Sequence, residues 1–250
     1  VTDREDELDT WLKEEFTAPY HMEVLYRWSD VEVYASIASM RLVPVDYSLV
    51  EPVMTALRDS WIGPFDQAAS RYFLRKLGPR RLVLVDALEC PPGVVRYIES
   101  EGTMLLNVRG FDPADETSLR EVLRSILCEL AHTLRKEFAF DKTFGDISRD
   151  YYGSGWQEFD RETAAENRYP RSWALGFVRN AAMNSPEDDF AEMFSTICAY
   201  GTGWFDGVVC AAAEYHDRDV WLPVRPFCDG ETVAPAHGVS LDVGGEVGVY

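Results

Sequence analysis

Cys128-Glu129-Leu130-Ala131-His132 is the stretch of this chain whose residue types and spacing could do chemistry. Four residues separate Cys128 from His132, which is about one turn of an α-helix, so the two side chains can approach a common point. In the intact H-E-x-x-H motif, imidazoles at i and i+4 bind Zn²⁺. The glutamate beside the first imidazole is then the general base for a metal-bound water. Here Glu129 and His132 keep the glutamate and the second histidine, and a cysteine stands at the first ligand position. A thiolate is a ligand that zinc accepts readily. The plainer reading stands beside this one: E-x-x-H arises by chance on amphipathic helices, and a lone cysteine usually behaves as a small buried hydrophobe.

A helix must carry these residues, and the sequence supplies one. Ser118 and Glu121 have the spacing of a capping box. Leu119, Leu123, Ile126, Leu127, Leu130, Leu134 and Phe138 then recur at three- and four-residue intervals as one apolar stripe. Cys128 and His132 fall on the opposite face. A zinc site of this kind needs a third protein ligand, often a carboxylate from a later helix. Ser185-Pro186 predicts the start of such a helix, with Glu187, Asp188 and Asp189 at the positive end of its dipole. Phe190, Phe194, Ile197 and Cys198 form its expected apolar face, with Asp188 and Glu192 opposite. Asp188 fits the third ligand, and Glu192 fits a support that orients a ligand from outside. Acidic residues in a first turn are also ordinary complement to the helix dipole.

The remaining elements read as follows. A helix is predicted over 2–16, capped by Thr2 and Glu5, with Leu8, Trp11, Leu12 and Phe16 on one face. Residues 22–28 are strand-like. A helix opening at a Ser48–Glu51 capping box carries Val53, Met54, Leu57 and Trp61 and is expected to stop near Gly63-Pro64. Another spans 66–77, before Gly78-Pro79. Strands follow at 82–85, 94–99 and 103–108, the last two joined by a turn at Glu101-Gly102. Residues after 140 are loop-rich, with a helical segment at roughly 172–182. This order predicts an α+β fold, a small mixed sheet packed on helices beside a long motif helix. It divides into an N-terminal lobe, 1–140, and a mostly helical lobe, 141–250. The segment 201–250 is Gly/Val-rich at its end and is not placed.

Composition narrows the function classes. The chain has 250 residues, 46% of them hydrophobic, enough for one sizeable domain or two closely packed lobes. A net charge of −19 with no basic patch excludes a nucleic-acid binder. An acidic membrane would repel the chain unless a lipid anchors it, and no apolar run is long enough to span a bilayer. The chain starts at Val1, so the start of the gene product, with any lipid anchor there, is expected to have been removed. The cysteines at 90, 128, 198, 210 and 228 are odd in number and lack C-x-x-C spacing, which fits neither a disulfide scaffold nor a zinc ribbon. His21, His216 and His237 are spare metal candidates with ordinary surface or structural explanations.

Over roughly residues 8–200 the chain resembles the zinc-binding metallopeptidases found as surface lipoproteins in gut-type Gram-negative bacteria, whose catalytic region looks like that of anthrax lethal factor. The resemblance rests on Leu25-Tyr26-Arg27-Trp28, on Cys128 to Leu134, on Phe144-Gly145-Asp146-Ile147-Ser148 with Tyr151 and Trp156, on Gly176-Phe177-Val178, and above all on Pro186-Glu187-Asp188-Asp189-Phe190-Ala191-Glu192-Met193. It implies a zincin-like fold, zinc as cofactor, a peptide or protein substrate and a cell-envelope location: an outer-membrane lipoprotein, or a periplasmic or extracellular protein. By position, it implies Cys128, His132 and Asp188 as zinc ligands, Glu129 as general base or acid, and Glu192 as outer support.

Three departures from the family pattern follow. Cys128 replaces a histidine, Asp188 a glutamate, and Ala181 stands where a tyrosine would hydrogen-bond the tetrahedral intermediate. A thiolate makes zinc a weaker Lewis acid, and loss of an oxyanion donor typically costs on the order of a hundredfold in rate. Tyr151, Tyr152 or Tyr169 could supply a hydroxyl instead. Two functions therefore stand open: a weakened zinc peptidase, and a non-catalytic descendant that binds a peptide or glycan. A cysteine hydrolase pairing Cys128 with His132 is disfavoured, because a nucleophile and base one turn apart on a single helix rarely align.

Overall fold

The computed structural model describes residues 7–28, 42–88, 90–98, 100–138, 143–153, 172, 175–207, 239–242 and 246–249. They group into two compact units, Val1–Ile126 and Leu127–Tyr250.

The first unit is built around β3 (Arg81–Ala87), whose Leu82-Val83-Leu84-Val85 run is buried on both faces, as expected of a central strand. β5 (Thr103–Asn107) pairs with it in parallel along one edge. The other edge is shared. β1 (Glu23–Leu25) runs parallel beside Arg81–Val83, and β2 (Leu42–Pro44) antiparallel beside Val85–Ala87. β4 (Gly93–Ile98) closes the sheet as an antiparallel partner of β5. Their connection turns at Gly102, whose φ of 64° lies in the left-handed region that glycine adopts without steric cost. The expected hairpin is therefore present, inside a mixed sheet.

Helices cover this sheet. α1 (Glu7–Leu12) continues through a π turn, Lys13–Thr17, into Ala18–Tyr20. Leu8, Leu12, Phe16 and Tyr20 are all buried, one per turn. α2 (Tyr47–Leu57) passes through a second π turn, Arg58–Ile62, into α3 (Gly63–Ala68). The expected stop at Gly63-Pro64 is overturned. In both places a proline, Pro19 or Pro64, lies two residues past the end of the π turn. A proline ring normally clashes with the carbonyl four residues back. The wider turn shifts the bonding to i−5, with Ala18 donating to Lys13 and Gly63 to Arg58, so the helix can pass the proline. α4 (Arg71–Leu77) completes the set.

Of the three expected capping boxes, Thr2–Glu5 lies outside the described residues, and the other two give way to aspartates just upstream. Asp46 accepts from the Ser48 N–H at 2.9 Å, and Asp115 from the Ser118 N–H at 2.9 Å. The motif helix, α5 (Glu116–Glu137), thus begins at the residue after Asp115, and Ser118 instead accepts from the Asp112 N–H. An aspartate is as good an N-cap as serine and sits one residue ahead of the first turn in each case.

In the second unit, the last part of α5 is followed by α6 (Thr143–Ile147), a 3-10 turn at Asn180–Asn184, α7 (Pro186–Tyr200) and the hairpin β6 (Val239–Asp242) with β7 (Glu246–Val249). Of the helix expected over roughly 172–182, residue 172 is helical and 173–174 lie outside the described residues, while 175–179 are non-helical and lead into that 3-10 turn. Gly145 lets α6 approach α7 closely: a Cβ there would lie 3.2 Å from the Pro186 ring. The face of α7 is a further correction. Ala191, Glu192, Ser195 and Thr196 are its buried residues, whereas Phe190, Phe194 and Ile197 are half-buried and Cys198 is exposed. The phenylalanines partner each other and Phe144, while small side chains allow close approach on the buried face.

Candidate metal centre

All five residues singled out at the motif lie in the second unit, on α5 and α7. α7 is held at its start by Ser185, whose hydroxyl accepts from the Asp188 N–H at 3.1 Å as an N-cap. This fixes the first turn and aims Asp188 and Glu192, one turn apart, along one side. Cys128 and His132 are likewise one turn apart on α5.

The two helices meet residue by residue along that side. Cys128 Sγ lies 3.9 Å from Glu192 Oε1. His132 Nε2 lies 3.6 Å from Asp188 Oδ1, and Arg135 Nη2 lies 3.3 Å from Glu187 Oε1. Sequence numbers rise on α5 as they fall on α7, so the two run antiparallel and the contacts form successive rungs. The four candidate side chains are therefore brought together, but as pairs. Glu129 is half-buried beside Cys128, and its carbonyl accepts from the Thr133 hydroxyl.

A zinc ion needs sulfur at about 2.3 Å and nitrogen or oxygen at about 2.0–2.2 Å, all converging on one point. Among the described residues, no three His, Cys, Asp or Glu side chains gather closely enough to hold a metal ion. Asp188 has a further commitment: its Oδ2 accepts from Asn184 Nδ2 at 2.6 Å and from the Ser185 hydroxyl at 2.5 Å. His132 Nε2 and Asp188 Oδ1 stand at a spacing that two ligands of one ion can have, but among the described residues no third candidate side chain joins them.

Three side chains complete the site without any motif to announce them. Arg179 Nε stands 3.9 Å from Glu192 Oε2. It comes from an extended residue just before the 3-10 turn that packs on α7. Asn184 holds Asp188 as described. Tyr152, whose ring meets Phe177 edge-on, donates its hydroxyl to Asp189 Oδ2 at 2.8 Å. Of the three tyrosines considered for an oxyanion donor, Tyr152 is thus committed to Asp189 and Tyr151 is exposed. Tyr169 lies outside the described residues, as do Trp156, His216 and His237. Ala181 sits half-buried in the 3-10 turn, and His21 pairs with Arg75 at 2.7 Å.

Burial pushes the Asp189 carboxyl up to about 6 from 3.8, against the opposing pull of the Tyr152 hydrogen bond. Burial and the neighbouring carboxylate likewise raise the Tyr152 phenol. Folding therefore strengthens proton binding at Asp189. Below about pH 4 the group is protonated folded or unfolded and costs nothing. As pH rises through the window from 3.8 to 6, it costs stability, and above that the cost is complete. Asp189→Asn keeps an acceptor for Tyr152 and removes the charge. We expect it to stabilise the protein at pH 8 by on the order of 1–2 kcal/mol, discounted for partial exposure, with no gain at pH 4. Denaturant titrations at the two pH values measure this; a loss at pH 8 contradicts it.

The model of the family described as "Putative zinc-binding metallo-peptidase" matches residues 2–220. A crystal structure of a protein from Bacteroides caccae ATCC 43185, carrying the same description, superimposes with a TM-score of 0.68 at 22% identity. The match covers 90% of this chain and 83% of that one. At that identity the likeness shows the fold alone, and the α+β arrangement expected from the sequence is the one the two share. Among curated proteins, none matches the chain.

Proposed function

This chain belongs to the zinc-binding metallo-peptidase family, and we propose that it is a member in which the peptidase fold serves binding and not hydrolysis. In this reading it holds a peptide or glycan without cutting it. The observation that carries the reading is the paired arrangement of the motif residues. Cys128 faces Glu192 and His132 faces Asp188, and among the described residues no three of these side chains gather around one point. The three departures at Cys128, Asp188 and Ala181 point the same way, since each weakens metal binding or transition-state stabilisation. We place the protein at the cell envelope, as an outer-membrane lipoprotein or a periplasmic or extracellular protein, on the likeness to envelope peptidases. Among the described residues no helix is long and apolar enough to cross a membrane.

A second reading, a weakened zinc peptidase, is favoured by one contact. His132 Nε2 and Asp188 Oδ1 are 3.6 Å apart, a spacing at which both can bind one ion with bonds of about 2.0–2.2 Å. It assigns zinc to Cys128, His132 and Asp188, general-base work to Glu129, and support to Glu192.

Metal analysis and peptide turnover separate the two. Protein purified without chelator is expected to carry well under one zinc per chain. It should leave a generic peptide intact, with Glu129→Gln indistinguishable from the parent. Zinc near one per chain, with cleavage that Glu129→Gln abolishes, establishes the peptidase reading instead.

A further inference from the structure

We draw no further inference here: the strongest candidate, the cavity of about 560 Å³ between residues 90–95 and the first turns of α5, carries nothing, because its charged lining groups, Glu121 and Arg124, pair with each other and nothing in the structure shows what covers its apolar wall of Pro91, Pro92 and Val94.

Discussion

Cys128→His combined with Asp188→Glu is expected to convert a chain that holds little zinc into one that holds about one ion per molecule. The parent has a thiol at the first ligand position, facing a buried carboxylate 3.9 Å away. Its third candidate ligand, Asp188, is engaged by Asn184 and Ser185. An imidazole at 128 restores two nitrogen ligands one turn apart on one helix face. A glutamate at 188 adds one methylene, so its carboxylate can extend past the N-cap contacts that hold the aspartate. Loss of a partner that merely orients a metal ligand typically costs about ten- to a hundredfold in affinity. Restoring two ligands is therefore expected to raise zinc affinity on the order of a hundredfold or more. Zinc titration with a competing chelator reads the change. A double variant that folds like the parent yet stays metal-free would show that something other than ligand identity and reach keeps the ion out.

Asn107→Ala is expected to be the most damaging single change to the first unit. Asn107 ends β5 and is fully buried. Its Oδ1 accepts from the backbone N–H groups of Ala87 at 2.9 Å and Arg109 at 3.1 Å. Its Nδ2 donates to the carbonyls of Cys90 at 2.8 Å, Pro91 at 3.0 Å and Ala87 at 3.3 Å. Two N–H hydrogens serve three carbonyls, so the longest contact is the shared one. This amide ties the end of β3 to the segment that enters β4, where the chain has no regular ladder of its own. Truncation strands up to five backbone groups, each costing about 1–3 kcal/mol if it stays dry. Partial rescue by water leaves an expected loss of about 3–5 kcal/mol, measured by denaturant unfolding. Asn107→Asp should be at least as harmful at neutral pH, because it sets a carboxylate against three carbonyl oxygens. It should recover partly as pH falls, since protonation restores a donor. A loss below about 1 kcal/mol for Asn107→Ala contradicts this account.

Much of the frame was legible in the order of residues. The run Leu82 to Val85 reads as a buried strand, Glu101-Gly102 as a turn, and Ser185-Pro186 as a helix start, because each depends on neighbours in sequence. The E-x-x-H spacing and the later Asp188 and Glu192 were likewise enough to single out the two helices that meet at the site. The errors arose where a distant or subtler contact outweighed the local pattern. The stop expected near Gly63-Pro64 did not occur, since a π turn moved the offending carbonyl. The apolar face of α7 proved the less buried one, since Phe190 and Phe194 stack on each other while small residues pack closely.

The sequence by itself determined which helices carry the motif and which side chains they present, because helical periodicity is a local property of the chain. Only the tertiary structure decided that Cys128 meets Glu192, that His132 meets Asp188, and that Arg179 stands beside Glu192. Whether four side chains converge on a point or pair off as rungs depends on the alignment of two helices more than fifty residues apart. No spacing rule reaches across that distance. The charge balance of a buried carboxylate is set by whatever the fold brings beside it.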